Sequence, residues 1–183
     1  MIICLLIEQH IPLLEEISGH WKADIAQDYQ GYKHHVYRMV HCCFALHRCS
    51  EEEREKIIIA GCFHDLGLWT EHTVDYLPPS VLLARAYLEG NNLQQWTTEI
   101  GLMIDMHHKI TQYKDDQYPL VEIFRRADLA DFSLGLIKGG VSGDTINEVK
   151  AAFPNAGFHK LLLKEQGKWL VKHPLNPFPI LKF

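Results

Sequence analysis

Ala60-Gly61-Cys62-Phe63-His64-Asp65-Leu66-Gly67 is the stretch on which the reading of this 183-residue chain turns. It ends an apolar helical run that begins at Ser50-Glu51-Glu52-Glu53, where Ser50 can cap and Glu53 can complete a capping box. Ile57, Ala60, Gly61 and His64 fall on one face. Ala60 and Gly61 are small, so a second helix can approach closely there, and Gly67 is placed to end the helix. An imidazole and a carboxylate on or beside an apolar face are costly unless paired or metal-bound. Neighbouring side chains on a helix point about 100° apart. His64 and Asp65 can therefore reach one ion only if it sits off the helix end.

Outward from this stretch, periodicity predicts helices throughout. Residues 12–26 carry Leu14, Ile17 and Trp21 roughly along one face. Residues 29–49 carry Val36, Met39, Val40, Cys43 and Leu46 at helical spacing, with His35 and Arg38 flanking the stripe. A polar loop, 68–76, contains Glu71, His72 and Asp75. Pro78-Pro79-Ser80 starts a helix broken at Gly90-Asn91-Asn92, and the next runs from 93 to 108. Pro119 fits a first helical position, ahead of the stripe Leu120, Ile123, Phe124, Ala127. Ser142 or Asp144 caps a helix to about Ala152, a last helix spans roughly 157–168, and a Pro-rich tail follows. No strand alternation, repeat or linker is visible. The expectation is one all-α domain over 1–183, a compact bundle of about seven to nine helices, with core motifs in 30–135 and C-terminal helices and tail in 140–183.

Composition is that of a globular chain. The net charge of −5 argues against non-specific nucleic-acid binding. The apolar opening, residues 1–7, is too short for a membrane span and lacks the basic start of a signal peptide, which predicts a cytoplasmic protein with no membrane partner. The five cysteines form no CxxC pair and read as buried small thiols.

His35, His64, Asp65 and Asp128 thus lie on three helices, each on or beside an apolar face. Taken singly each has a structural explanation, and Asp128 could pair with Arg125 or Arg126. Together, two imidazoles and two carboxylates suit one divalent ion (Mn, Fe, Co, Ni or Mg), with positions left open for water and substrate. His35-Val36-Tyr37-Arg38-Met39, then Ala60 to Gly67, then Ala127-Asp128 resemble, in order and flavour, the HxxRV, HDxG and AD motifs of the HD-domain metal-dependent phosphohydrolase superfamily. The resemblance covers roughly residues 30–135.

That resemblance implies a helical bundle with a metal at its centre. It also implies hydrolysis of a phosphate ester of a small molecule, a nucleotide among the options, by metal-activated water. Catalytic candidates beside the metal are Glu71, His72 and Asp75, with a solvated loop as the alternative. Arg38 and Lys33 are candidates for a substrate phosphate, and Trp69 for a pocket wall. Ile104-Asp105-Met106-His107 looks like a further His of two-metal HD proteins, but their companion His has no counterpart near Ser80. One ion is therefore favoured, with His107 contacting substrate or moving a proton. Alternatively, His72 or His108 completes a second site. Two other functions stay open: a two-iron HD-type oxygenase and a non-catalytic metal- or ligand-binding module. An oligomer is compatible with the apolar N-terminal segment and the Pro-rich tail.

Overall fold

The computed structural model describes residues 7–182; the apolar opening stretch and Cys4 lie outside the described residues, apart from Ile7. The chain is all-α, as expected. Helix α1 spans Pro12–His20, followed by the short turn α2 (Lys22–Ile25), and α3 runs over Tyr29–Leu46. Then come α4 (Glu51–Phe63), the single turn α5 (Gly67–Thr70), α6 (Leu77–Gly90), α7 (Thr97–Met106) and α8 (Pro119–Phe132). Helices α9 (Gly143–Ala152) and α10 (Phe158–Lys172) complete the order. Eight of these have nine residues or more, and no strand occurs among the described residues beyond one isolated bridge between Lys109 and Lys182.

Local sequence explains most boundaries. Ser50 accepts from the Glu53 amide and the Glu53 carboxylate accepts from the Ser50 amide, so the capping box at the start of α4 is complete. Pro119 opens α8 and Ser142 caps α9. The first predicted helix is cut instead at His20. The chain re-enters through α2 and a 3-10 turn over Ala26–Asp28, with Ala26 at φ +54°. The second ends at Leu46, short of Cys49.

Helix α3 packs most extensively on α8, α4 packs on α1, α3 and α7, and α7 bridges α6 and α8. The α3–α4 contact is close because Gly61 has no side chain. A Cβ there would meet Met39 at 3.0 Å and Val40 at 3.2 Å. The core comprises Val36, Met39, Val40, Ile57, Ala60, Met103, Ile104, Phe124 and Ala127, all fully buried, and their neighbours. Cys42, Cys43 and Cys62 are buried free thiols, as expected, and Cys49 is half-buried. No described helix is long and apolar enough to cross a membrane.

Gly67 has a different role from the one expected. It begins α5 instead of ending α4, whose cap is His64. A Cβ at Gly67 would lie 2.5 Å from the Tyr76 carbonyl, and its amide donates to the Ser80 hydroxyl at 2.9 Å. The glycine is needed for the close approach of the α6 N-terminus. That approach brings Tyr76 beside the residues described next.

Candidate metal centre

The bundle's four central elements each deliver side chains to one buried point. His35 comes from the middle of α3, His64 and Asp65 from the end of α4, His107 from the residue after α7, and Asp128 from α8. All five are between 0 and 4 % exposed. His35 Nε2 and His64 Nε2 stand 3.0 Å apart. Asp128 Oδ1 lies 3.5 Å from His35 Nε2 and 3.8 Å from His64 Nε2. Asp65 Oδ2 lies 3.3 Å from His64 Nε2, and Asp65 Oδ1 lies 3.5 Å from His107 Nε2.

Hydrogen bonds on the far side of each ring fix which nitrogen faces inward. His35 Nδ1 donates to Asp131 Oδ2 at 2.7 Å, His64 Nδ1 to the Gly61 carbonyl at 2.7 Å, and His107 Nδ1 to the Ile104 carbonyl at 2.6 Å. Three Nε2 atoms therefore converge on two carboxylates. His107 Nε2 and Asp65 Oδ1 are buried with no hydrogen-bond partner, a state that costs about 1–3 kcal/mol per group unless something else binds them. Two nitrogens about 2.1 Å from one ion at right angles are about 3.0 Å apart, so the His35–His64 spacing fits a shared cation. His35–His64–Asp128, His64–Asp65–His107 and His107–His108–Asp128 are each grouped closely enough to hold one.

The electrostatics call for positive charge at this point. Burial alone would pull the His64 imidazole down, but Asp65 and Asp128 outweigh it and hold His64 up at about 9. Burial also opposes ionisation of Asp65, yet His64 and His107 hold its carboxyl well below the usual range. Burial pushes Asp128 up. In a metal-free site a proton on His64 supplies the charge that a divalent ion would supply instead.

Behind His35 lies a hydrogen-bonded pair, Asp131 and Arg38. Asp131, one turn beyond Asp128, accepts from His35 and takes a bidentate pair from Arg38, Nε to Oδ1 at 2.6 Å and Nη2 to Oδ2 at 2.8 Å. Arg38 Nη1 donates to the Phe153 carbonyl at 2.9 Å. Despite burial, His35 and Arg38 keep the Asp131 carboxyl below its ordinary value. Arg38 is thus committed to Asp131 and the backbone rather than free for a phosphate. Lys33 is likewise turned to Glu15, at 3.0 Å. Arg125 binds Glu122 bidentately and Arg126 donates to the Gly139 carbonyl, so neither pairs with Asp128.

The loop candidates are not brought in. Glu71, His72 and Asp75 are exposed and belong to none of the ligand groups. Trp69 is buried, donates to Asp28 at 3.2 Å and packs 4.8 Å from the Tyr32 ring; it does line a groove, with His72, but one that no cluster residue reaches. His41 is fully buried, accepting the Glu8 amide on one ring nitrogen and hydrogen-bonding the Tyr37 carbonyl with the other. Two residues escaped the reading from sequence. Asp131 had a usable signal, because Asp128/Asp131 and His35/Arg38 are both i,i+3 pairs. Tyr76 had none. Its hydroxyl shares a 2.8 Å hydrogen bond with His108 Nε2. Burial first, and then the Asp65 and Asp128 charges, push its phenol well above the usual value. Burial, with His107 adding to it, keeps His108 well below its usual value and so neutral.

The buried His/Asp cluster is what the fold shows of function; no family model, curated protein or solved structure matches the chain.

Proposed function

We propose that the cluster holds a divalent metal and that the chain is a metal-dependent phosphohydrolase of the HD-domain kind, acting on a small phosphate ester. The observation that carries the metal is the convergence of three Nε2 atoms on two carboxylates, with His107 Nε2 and Asp65 Oδ1 buried and unpartnered. His35, His64, Asp65 and Asp128 are its ligands. His107, read from sequence as a catalytic group, is assigned to the same ligand set.

A bound divalent ion lowers the pKa of a water and polarises a phosphoryl oxygen. The rest falls to the chain. Asp131 holds His35 in the tautomer whose Nε2 faces the centre. The Tyr76 hydroxyl, kept protonated by burial and by the two carboxylates and hydrogen-bonded to His108, is the chain's candidate donor to a leaving oxygen. Hydrolysis adds water across the P–O bond, and the products are an alcohol and inorganic phosphate.

The test is phosphate release from a substrate panel with Mn²⁺- or Co²⁺-loaded protein. Turnover lost in Asp65→Ala supports the reading, and a folded, metal-loaded protein inert across the panel overturns it. A second reading, a two-metal centre, is favoured by the His107–His108–Asp128 grouping. Two irons per chain with O₂ consumption would select it, and one ion per chain would dismiss it.

A further inference from the structure

A cavity of about 560 Å³ lies between α8, α10 and the C-terminal tail. Its walls include Leu68, Phe132, Leu162, Leu163, Phe178 and Ile180. Tyr76 and His108 also line it, and His108 is grouped with His107 and Asp128 at the cluster. Tyr76 and His108 thus form the wall between the cavity and the centre, and none of His35, His64, Asp65, His107 and Asp128 lines the cavity itself. The tail wall is pinned: the Ile110 amide donates to the Lys182 carbonyl at 2.8 Å, and Lys182 Nζ pairs with Asp105 at 2.9 Å.

The charges restrict what can fill it. Among the described residues none of its lining groups is Lys or Arg, and its carboxylate, Glu165, is paired with Lys168. Arg38, Arg125, Arg126 and Lys33 are all engaged elsewhere. A polyphosphate or a nucleotide needs cationic donors along its phosphates and polar partners at its base. The cavity offers no cationic donor, and Ser133, His159 and Gln166 on its walls already bond backbone carbonyls. A second groove, of about 420 Å³, carries charged groups (Asp24, Asp28, Lys168 and Lys172) beside apolar ones, but no cluster residue lines it.

We infer that the substrate is a phosphate monoester with an uncharged, apolar body: one phosphate head at the centre and a hydrocarbon or aryl portion in this cavity. The head rests on the phosphohydrolase reading, and the apolar body rests on the cavity alone.

The experiment uses the full chain loaded with Mn²⁺ and five probes: methyl, butyl and octyl phosphate, 1-octanol, and adenosine monophosphate. Binding is measured by calorimetry and phosphate release is followed in parallel. Affinity is expected to rise about two- to fourfold per added methylene until the cavity is filled, with octyl phosphate at least about tenfold tighter than the nucleotide. Leu163→Glu and Phe178→Glu replace partly solvent-exposed side chains that the fold does not need buried. Each should weaken octyl phosphate about tenfold or more with metal content unchanged. Affinity independent of chain length, or a nucleotide bound more tightly than octyl phosphate, overturns the inference. So does a concentration-dependent dimer that Leu163→Glu dissociates while no probe binds, because a second copy would then fill the cavity. Chain-length-dependent binding of octyl phosphate, and of 1-octanol, with no phosphate released from any probe sustains the cavity assignment and removes hydrolysis instead.

Discussion

Two buried polar sets sit one helical turn apart on the same pair of helices, and they differ in how complete they are. On α3 and α8, Arg38 and Asp131 close on each other with short bidentate contacts, and the remaining Asp131 and Arg38 bonds go to His35 and the Phe153 carbonyl. One turn earlier, His35 and Asp128 face His64, Asp65 and His107 across contacts of 3.0 to 3.8 Å, with two buried atoms unpartnered. A chain can bury ions stably when every donor finds an acceptor, as the first set does. The second set could hold an ion, which the protein does not itself supply. A saturated buried network is thus the mark of a scaffold, and an unsaturated one beside it marks a site.

The comparison breaks most visibly at His64. His64→Ala should lower bound metal to trace levels and turnover by about 10³-fold or more, read by elemental analysis and phosphate release. It should leave the helical circular dichroism intact. If metal and turnover survive, the unsaturated set is not the site.

Asp131→Ala strikes the saturated set. It leaves Arg38 buried without its carboxylate, which should cost about 3–5 kcal/mol of stability in urea unfolding. It also frees the His35 tautomer, which should weaken metal binding about 10- to 100-fold. A loss of stability with no change in metal affinity would separate the two sets entirely.

Protons and metal compete for the unsaturated set. Because His64 is held up at about 9 in the metal-free protein, it must shed a proton to bind an ion. Apparent metal affinity should therefore fall by about tenfold per pH unit as pH drops below that value. Titrations at pH 6, 7 and 8 check the sign, and a flat profile would mean the ligands are neutral before binding.

The smallest effect is expected at Lys33, whose partner Glu15 is on α1 and whose side chain is partly solvated. Lys33→Ala should cost under about 1 kcal/mol and leave kcat/KM unchanged. A large loss of turnover would place Lys33 on the substrate after all.

The helices and the four central His and Asp residues are legible because their signals are local. Apolar residues at helical spacing, the Ser50–Glu53 capping box, Pro119, and an ionisable pair at the end of an apolar run each act within a few residues. The small pair Ala60-Gly61 likewise announced the close α3–α4 approach that Gly61 makes possible. Arg38, Lys33 and Glu71–Asp75 were assigned by their nearness in sequence to those ligands. Nearness in sequence does not say where a long side chain turns. Arg38 turned to Asp131, Lys33 to Glu15, and the loop to solvent.

What the sequence alone determined is an all-α chain with His35, His64, Asp65 and Asp128 on its inward faces, because helical period and burial cost are properties of short segments. Only the tertiary structure brought in His107 beside Asp65, Asp131 behind His35, and Tyr76 against His108. It also placed an apolar cavity against a charged centre. Those partners are separated by tens of residues, and their meeting depends on how α7, α8 and the start of α6 pack, not on any pattern within one of them.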